Sequence, residues 1–256
     1  MRRQREDLRG CRALVTGASS GIGLALAERL LKRGCFVVGA SRHEGYFARL
    51  RAQFPAQTDY VVADLSRAEE VAELIDSPAC AGVNLLVANA GFGCFGDYRD
   101  ERLDEREARM VQVNCLATQR LIKAYLRRFD ENGGQILVTA SAAAFGAAPY
   151  MAAYYATKAY IYRLCLGYQR ELKINHSRAH LSILCPGPVA TGFEKAGDLK
   201  FQFKPMSVDR VADYALKKWL KNKAVIVPGF AYRLLRIGAK IAPDSLITRV
   251  TKKAAV

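Results

Sequence analysis

Short apolar runs alternate with amphipathic stretches along almost the whole chain. The apolar runs are Ala13–Thr16, Phe36–Ala40, Tyr60–Ala63, Leu85–Ala88, Ile136–Thr139, Leu181–Cys185 and Ala224–Val227. Each is short, rich in Val, Ile and Leu, and apolar on both faces. A strand of that kind is covered on both sides, which parallel βαβ crossovers achieve. Helical periodicity fills the intervals at Ile22–Arg33, Gly45–Phe54, Arg67–Ile75, Leu103–Phe129, Tyr154–Lys173 and Val208–Leu220. In the segment from Leu24 to Leu31 the apolar residues recur at helical spacing. The pattern predicts an α/β fold: a doubly wound, Rossmann-like, seven-stranded parallel sheet with helices on both faces. No internal repeat and no linker rich in Gly, Ser or Pro interrupts it. Residues 1–256 are therefore expected to form a single domain, with a basic helical extension over about 229–256.

The first apolar run leads into Thr16-Gly17-Ala18-Ser19-Ser20-Gly21-Ile22-Gly23, which opens the first helix. The order strand, glycine turn, helix brings backbone N–H groups and a helix N-terminus to one point, where a pyrophosphate binds. An ordinary tight turn has the same glycines, so the flanking strand and helix carry the weight. The second run ends Gly39-Ala40-Ser41-Arg42, without the acid that bonds the ribose 2′-OH of NAD; Glu44 lies further on. Arg42 can pair with a 2′-phosphate and Ser41 can hydrogen-bond it, which favours NADP. Asp64-Leu65, after the third run, either borders the adenine or starts the next helix, with Asp64 as its cap.

Ser141 ends the fifth run, and Tyr154 and Lys158 follow four residues apart on one helix face. An ammonium beside a phenol favours phenolate, which makes a weak acid useful near neutral pH. Taken alone, Tyr154 is equally a packing aromatic, in step with Tyr150 and Tyr162, and Asn114 an ordinary helix polar residue. Together these residues resemble the short-chain dehydrogenase/reductase family over roughly the whole length. The resemblance rests on Thr16–Gly23, Asn89-Ala90-Gly91, Asn114, Ser141, Tyr154-x-x-x-Lys158 and Pro186-Gly187-Pro188-Val189-Ala190-Thr191. The spacing from Ser141 to Tyr154 matches the family and selects Tyr154 over Tyr155. Ala88 stands where the family often has a first Asn.

The resemblance implies that Tyr154 is the general acid/base, with Ser141 polarising the substrate oxygen. Lys158 holds the nicotinamide ribose and lowers the Tyr154 pKa, and Asn114 holds a water in a proton relay. It further implies a phosphate cradle at Gly17, Ser19, Ser20, Gly21, Ile22 and Gly23. Asn89, Ala90 and Gly91 belong by the adenosine ribose, and Pro186, Gly187, Val189 and Thr191 by the carboxamide.

Candidate substrate contacts come from aromatics on the loops after the strands. Phe92, Phe95 and Phe145 accompany Phe193, Phe201, Phe203 and Met206 in the long Gly187–Met206 loop, which either forms a lid or packs on its own aromatics. An apolar carbonyl or alcohol follows: a fatty-acyl ketone, a steroid or another lipid-like ketone. A non-catalytic NADP-binding sensor or scaffold is the competing class, and such a protein would usually have lost Tyr154 or Lys158. The family also implies a homodimer or homotetramer.

Composition narrows the picture. Hydrophobic residues at 51% exclude a disordered chain. The seven cysteines form no C-x-x-C pair and sit among apolar residues, as reduced core thiols of a cytoplasmic protein do. His43, His176 and His180 have no metal-binding spacing, so no metal is expected. The net charge is +15, and the surplus gathers after Lys217. With no recognition motif or aromatic-basic platform, nucleic acid is not the expected partner. Within Tyr232–Ala242, Arg233, Arg236 and Lys240 share one helical face, and Leu234, Ile237 and Ile241 another. Either the apolar face packs on the domain itself, or the segment lies on an anionic membrane.

Overall fold

The computed structural model describes residues 7–191, 205–243 and 245–248. Seven strands form one all-parallel sheet: β1 (Arg12–Thr16), β2 (Phe36–Ser41), β3 (Thr58–Val62), β4 (Leu85–Ala88), β5 (Gly134–Thr139), β6 (Ala179–Leu184) and β7 (Val225–Ile226). Their order is β3-β2-β1-β4-β5-β6-β7. Among the described residues, helices connect and cover them: α1 (Gly21–Leu31), α2 (Phe47–Gln53), α3 (Ala68–Asp76), α4 (Asp104–Val111), α5 (Thr118–Asn132), α6 (Ala152–Ile174), α7 (Val208–Trp219) and α8 (Phe230–Gly238).

The period-two alternation of each strand divides the core between the two faces. Leu14, Val38, Leu86, Ile136 and Val138 point to one side, against Leu74, Leu121, Tyr125 and Ile161 of α3, α5 and α6. Val15, Val37, Leu85, Val87 and Leu137 point to the other, against Leu26, Leu30, Leu216 and Trp219 of α1 and α7. The order of strand addition reverses at β1, which pairs in parallel with β2 on one side and β4 on the other. A crevice therefore opens beyond the carboxyl ends of β1 and β4, where open α/β sheets bind ligands.

Three expectations needed correction. β3 is an edge strand, and Val62 on it is exposed, so that run is not covered on both faces. The stretch read as one helix over Leu103–Phe129 is broken by a π turn at Gln112–Ala117, which joins α4 to α5. Leu234, Ile237 and Ile241 do not pack on the domain: they are exposed, and α8 has no fully buried residue. A different part of α8 faces inward, because the Tyr232 ring lies over Gly187, leaving no room there for a Cβ.

All seven cysteines are free, six buried and Cys11 half-buried. Burial pushes the Cys35 and Cys185 thiols up to about 12, so neither forms a reactive thiolate near neutral pH.

Candidate active site

The crevice at the strand ends is a cleft of about 1150 Å³. Its floor is the turn between β1 and α1. Gly17 and Gly21 take positive φ values of 67° and 56°, conformations that strain any other residue. Gly23 packs behind the turn, where a Cβ would lie 2.3 Å from the Gly17 carbonyl oxygen. Ser20 is the N-cap of α1 yet makes no side-chain cap, and the first turn holds no acid. The first-turn amides of α1 thus lack intrahelical acceptors at the cleft wall, beside Ser19, Ser20, Gly21 and Ile22. That arrangement suits a phosphate anion.

Thr16 ties this turn to the end of β4. Its hydroxyl accepts hydrogen bonds from the Asn89 and Ala90 amides, at 3.0 and 3.1 Å. Asn89 donates through Nδ2 to the Thr16 carbonyl (3.3 Å) and accepts at Oδ1 from the Thr139 hydroxyl (3.1 Å). Asn89 therefore pins three strand ends together, with Ala90 and Gly91 beside it in the lining.

At one end of the cleft lie Ser41, Arg42, Asp64 and Leu65. Arg42 is exposed and hydrogen-bonds no other described residue, while Glu44 pairs with Arg51 at 2.9 Å, away from the cleft. Ser41 Oγ lies 2.8 Å from the His43 carbonyl oxygen and 2.5 Å from Tyr60 Oη, so its hydroxyl braces the loop that carries Arg42. Asp64 does not cap α3, whose N-cap is Arg67. Its carboxylate accepts from the Ser66 amide and hydroxyl and meets Arg109 at 3.2 Å. Burial alone would raise its pKa; the Ser66 hydrogen bonds and the charges of Arg109 and Arg42 outweigh that and hold it below the ordinary carboxylate value.

At the other end, β5 and α6 bring Ser141, Tyr154 and Lys158 together. Ser141 is the N-cap of a short 3-10 turn, and its hydroxyl accepts from the Ala143 amide at 3.1 Å. It also hydrogen-bonds the Tyr154 phenol. Tyr154 and Lys158 are only 8% and 6% exposed, so burial governs both. It pushes the phenol up to about 12, opposed by the Ser141 hydrogen bond and assisted by Tyr155. It pulls the Lys158 ammonium down to about 8, against the opposing influence of Cys115 and Cys185. The expected lowering of the Tyr154 pKa by Lys158 is thus not found. Lys158 Nζ sits over the ring, 5.7 Å from its centroid, and donates to the Thr139 carbonyl at 3.3 Å. The protonated phenol is a hydrogen-bond and proton donor at neutral pH.

Asn114 lies behind Gly91 in the π turn, buried rather than in the lining. Its Nδ2 donates to the Phe92 carbonyl (2.8 Å) and the Thr157 hydroxyl (3.1 Å), and its Oδ1 accepts from the Phe92 amide (3.1 Å). One acceptor position of Oδ1 remains. A Cβ on Gly91 would lie 2.8 Å from Asn114 Oδ1 and 3.3 Å from Lys158 Nζ, so only glycine lets the chain pass between them.

The profile of the short chain dehydrogenase family matches residues 12–200. The chain belongs to the short-chain dehydrogenase family. It is an NAD(P)-dependent oxidoreductase acting on CH–OH groups. An uncharacterized oxidoreductase of Staphylococcus saprophyticus is 29% identical over 215 residues, covering 80% of this chain and 91% of that protein. Dehydrogenase/reductase SDR family member 4 of Bos taurus is 30% identical over 193 residues, covering 72% and 67%. Among solved structures, a short-chain dehydrogenase from Sphingobium yanoikuyae in complex with NADPH superposes with a TM-score of 0.79. It is 28% identical, covering 90% of this chain and 93% of that one. The bulky-bulky ketone specific alcohol dehydrogenase from Comamonas testosteroni gives 0.76 at 28% identity, covering 90% and 91%.

Within this short-chain dehydrogenase, Pro186, Gly187, Val189 and Thr191 also line the cleft, as do Phe92 and Phe145. The Phe145 ring meets Tyr162 edge-on at 5.3 Å. Phe95 is not in the lining; its ring faces Tyr150 at 5.9 Å. Met206 is bridged to Val189 and closes the base of its loop, while Phe193, Phe201 and Phe203 lie outside the described residues. Sequence reasoning missed Met151, Tyr155, Tyr232 and Leu235, all of which line the cleft. Tyr155 is adjacent to Tyr154, and the spacing from Ser141 singles out its neighbour. Tyr232 was hidden because its partner, Gly187, lies forty-five positions away with no periodicity to link them.

Proposed function

We propose that this short-chain dehydrogenase interconverts an apolar ketone and its secondary alcohol with NADP(H), Tyr154 acting as general acid/base. The observation that carries this reading is the buried Tyr154 side chain at the cleft wall, with Ser141 beside it in the lining and Lys158 Nζ 5.7 Å from its ring centroid. Bound NADPH supplies a hydride to the carbonyl carbon. The Tyr154 hydroxyl and Ser141 then hold the carbonyl oxygen, and Tyr154 gives its proton to the oxygen as negative charge develops there. The Lys158 ammonium offsets the charge left on the tyrosinate. The free acceptor position of Asn114 Oδ1 holds a water for reprotonation. In oxidation the same groups act in reverse.

NADP is preferred over NAD because Arg42 is free to pair with a 2′-phosphate, while Glu44, two residues further along the chain, is held by Arg51. The Sphingobium relative carries NADPH. Gly17 to Gly23 hold the pyrophosphate, Asp64 and Leu65 border the adenine, Asn89 to Gly91 meet the ribose, and Pro186 to Thr191 meet the carboxamide. An apolar substrate of fatty-acyl, steroid or other lipid-like type fits the Phe92, Phe145, Tyr155, Tyr232 and Leu235 surfaces of the cleft. The Comamonas relative is named for bulky ketones. The chain is taken as one cytoplasmic domain, its thiols reduced, assembled as a homodimer or homotetramer. Sedimentation velocity checks the assembly, and a single monomeric species contradicts it. A screen of aryl, fatty and steroidal ketones with NADPH and NADH tests the activity. Turnover of small hydrophilic aldehydes alone, or a preference for NADH, contradicts the substrate or the cofactor assignment respectively.

A further inference from the structure

We propose that the outer face of α8 and the turn after it dock on an anionic lipid bilayer, which sets the cleft mouth against the membrane so that apolar substrate enters from the lipid. The delivery step rests on the ketone reading above; the docking does not. Phe230, Leu234, Ile237 and Ile241 are spaced four, three and four residues apart, one stripe along a helix. They are between 52% and 84% exposed, so the stripe faces water along its whole length. Leu246 adds another exposed apolar side chain just beyond it.

The surrounding charge points to the occupant. Arg233, Arg236 and Lys240 are the charged residues of α8 and the turn after it, and from Lys217 to Val256 the chain holds ten bases against one acid, Asp244. Arg233 and Lys240 are exposed on α8 and at its end. An apolar stripe edged by Arg233 and Lys240 is how an interfacial helix lies at the headgroup boundary. A second copy of this face would bring together two surfaces of the same sign, so charge favours anionic lipid over self-association.

The inner side of the same helix forms the cleft. Tyr232 covers Gly187, and Leu235 lines the cavity. Arg236 donates to the Tyr162 hydroxyl at 3.1 Å, which ties α8 to α6. A helix with lipid on one side and the substrate cavity on the other gives an apolar ligand a short path that avoids water.

The test uses the full chain and vesicles of phosphatidylcholine, with or without phosphatidylserine. Binding is expected to the anionic vesicles at low salt and to be lost at high salt. Each base near such a surface contributes a factor of about 5, so the Arg233→Glu/Lys240→Glu variant should bind at least about 25-fold more weakly. Ile237→Glu and Ile241→Glu should weaken binding similarly. These four residues do not line the cleft, so turnover of a water-soluble ketone with NADPH should persist in each variant. With a ketone dissolved in the anionic vesicles, wild type should outpace the variants. No vesicle binding at low salt overturns the docking, as does a self-associated species abolished by Ile237→Glu in its place. Equal rates on vesicle-borne ketone overturn the delivery. If wild type binds vesicles but turns over no ketone in either format, the function reading fails while the docking stands.

Discussion

The two ends of the cleft are built on opposite principles. At the β5–α6 end, Tyr154, Lys158 and Asn114 are buried, and their polar groups are held by neighbours at fixed distances. Burial sets the proton affinities of Tyr154 and Lys158, so the chemistry there is tuned by desolvation. At the β2 end, Arg42 stands exposed, with its charge available to a ligand. The buried end can move a proton because its groups cannot rearrange. On the function proposed above, the open end selects, by charge, which dinucleotide settles in the cradle. Changes at the first should alter rate, and changes at the second should alter affinity.

The largest effect should follow Tyr154→Phe. Removing the donor while keeping the ring should lower kcat by about 10²–10⁴-fold and leave the NADPH Kd nearly unchanged. Steady-state kinetics with a fluorescence titration of NADPH separates the two. A variant that keeps more than about a tenth of kcat, with Tyr155→Phe inactive in its place, would move the role to Tyr155 and break the contrast.

Arg42→Ala comes next. A charge-assisted pair is worth about 1.5–3 kcal/mol, so the NADPH Kd should rise roughly 10–100-fold, with NADH little affected. Equal losses for both cofactors would remove the selective role of the open end.

The pH profile of reduction sharpens the buried end. Lys158 loses its proton as pH rises through about 8, while Tyr154 stays protonated until about 12. Above pH 8 the tyrosinate formed in each turnover then lacks its neighbouring cation. kcat/KM for reduction should fall there, toward tenfold per pH unit. A profile flat to pH 10 would show that the Lys158 charge is not used.

The smallest change belongs to Ser41→Ala. Its hydroxyl already bonds the His43 carbonyl and Tyr60, so the NADPH Kd should move by less than about threefold. A loss as large as that of Arg42→Ala would make Ser41 a direct phosphate ligand.

The buried end was the more legible of the two in the sequence. Tyr154 and Lys158 share a helix turn, and Ser141 ends a strand at a fixed distance before them, so local spacing carries the site. The sheet was legible for the same reason, since each central strand is a continuous apolar run. What local spacing does not carry is tertiary cost. The balance of burial against charge at Tyr154 depends on how deeply α6 sits, which no i to i+4 relation reveals. β3 looks like a central strand because Tyr60–Ala63 is apolar, yet the topology leaves it at the edge. The contact of Tyr232 with Gly187 joins segments far apart in the chain. For α8 the amphipathic pattern was visible, but which face points inward was set by Tyr232 and Leu235 rather than by its most apolar stripe.

Hydride-coupled proton transfer on a ketone is the chemistry proposed for the buried end. Its most direct test is a single-turnover reaction of the NADPH-loaded enzyme with an excess of a bulky aryl ketone, following NADPH absorbance and analysing the product. Loss of NADPH matched mole for mole by secondary alcohol is expected in the wild type, and NADPH bound but unconsumed on the same timescale in Tyr154→Phe. NADPH bound and unconsumed in the wild type, with any ketone and with no alcohol formed, would contradict it.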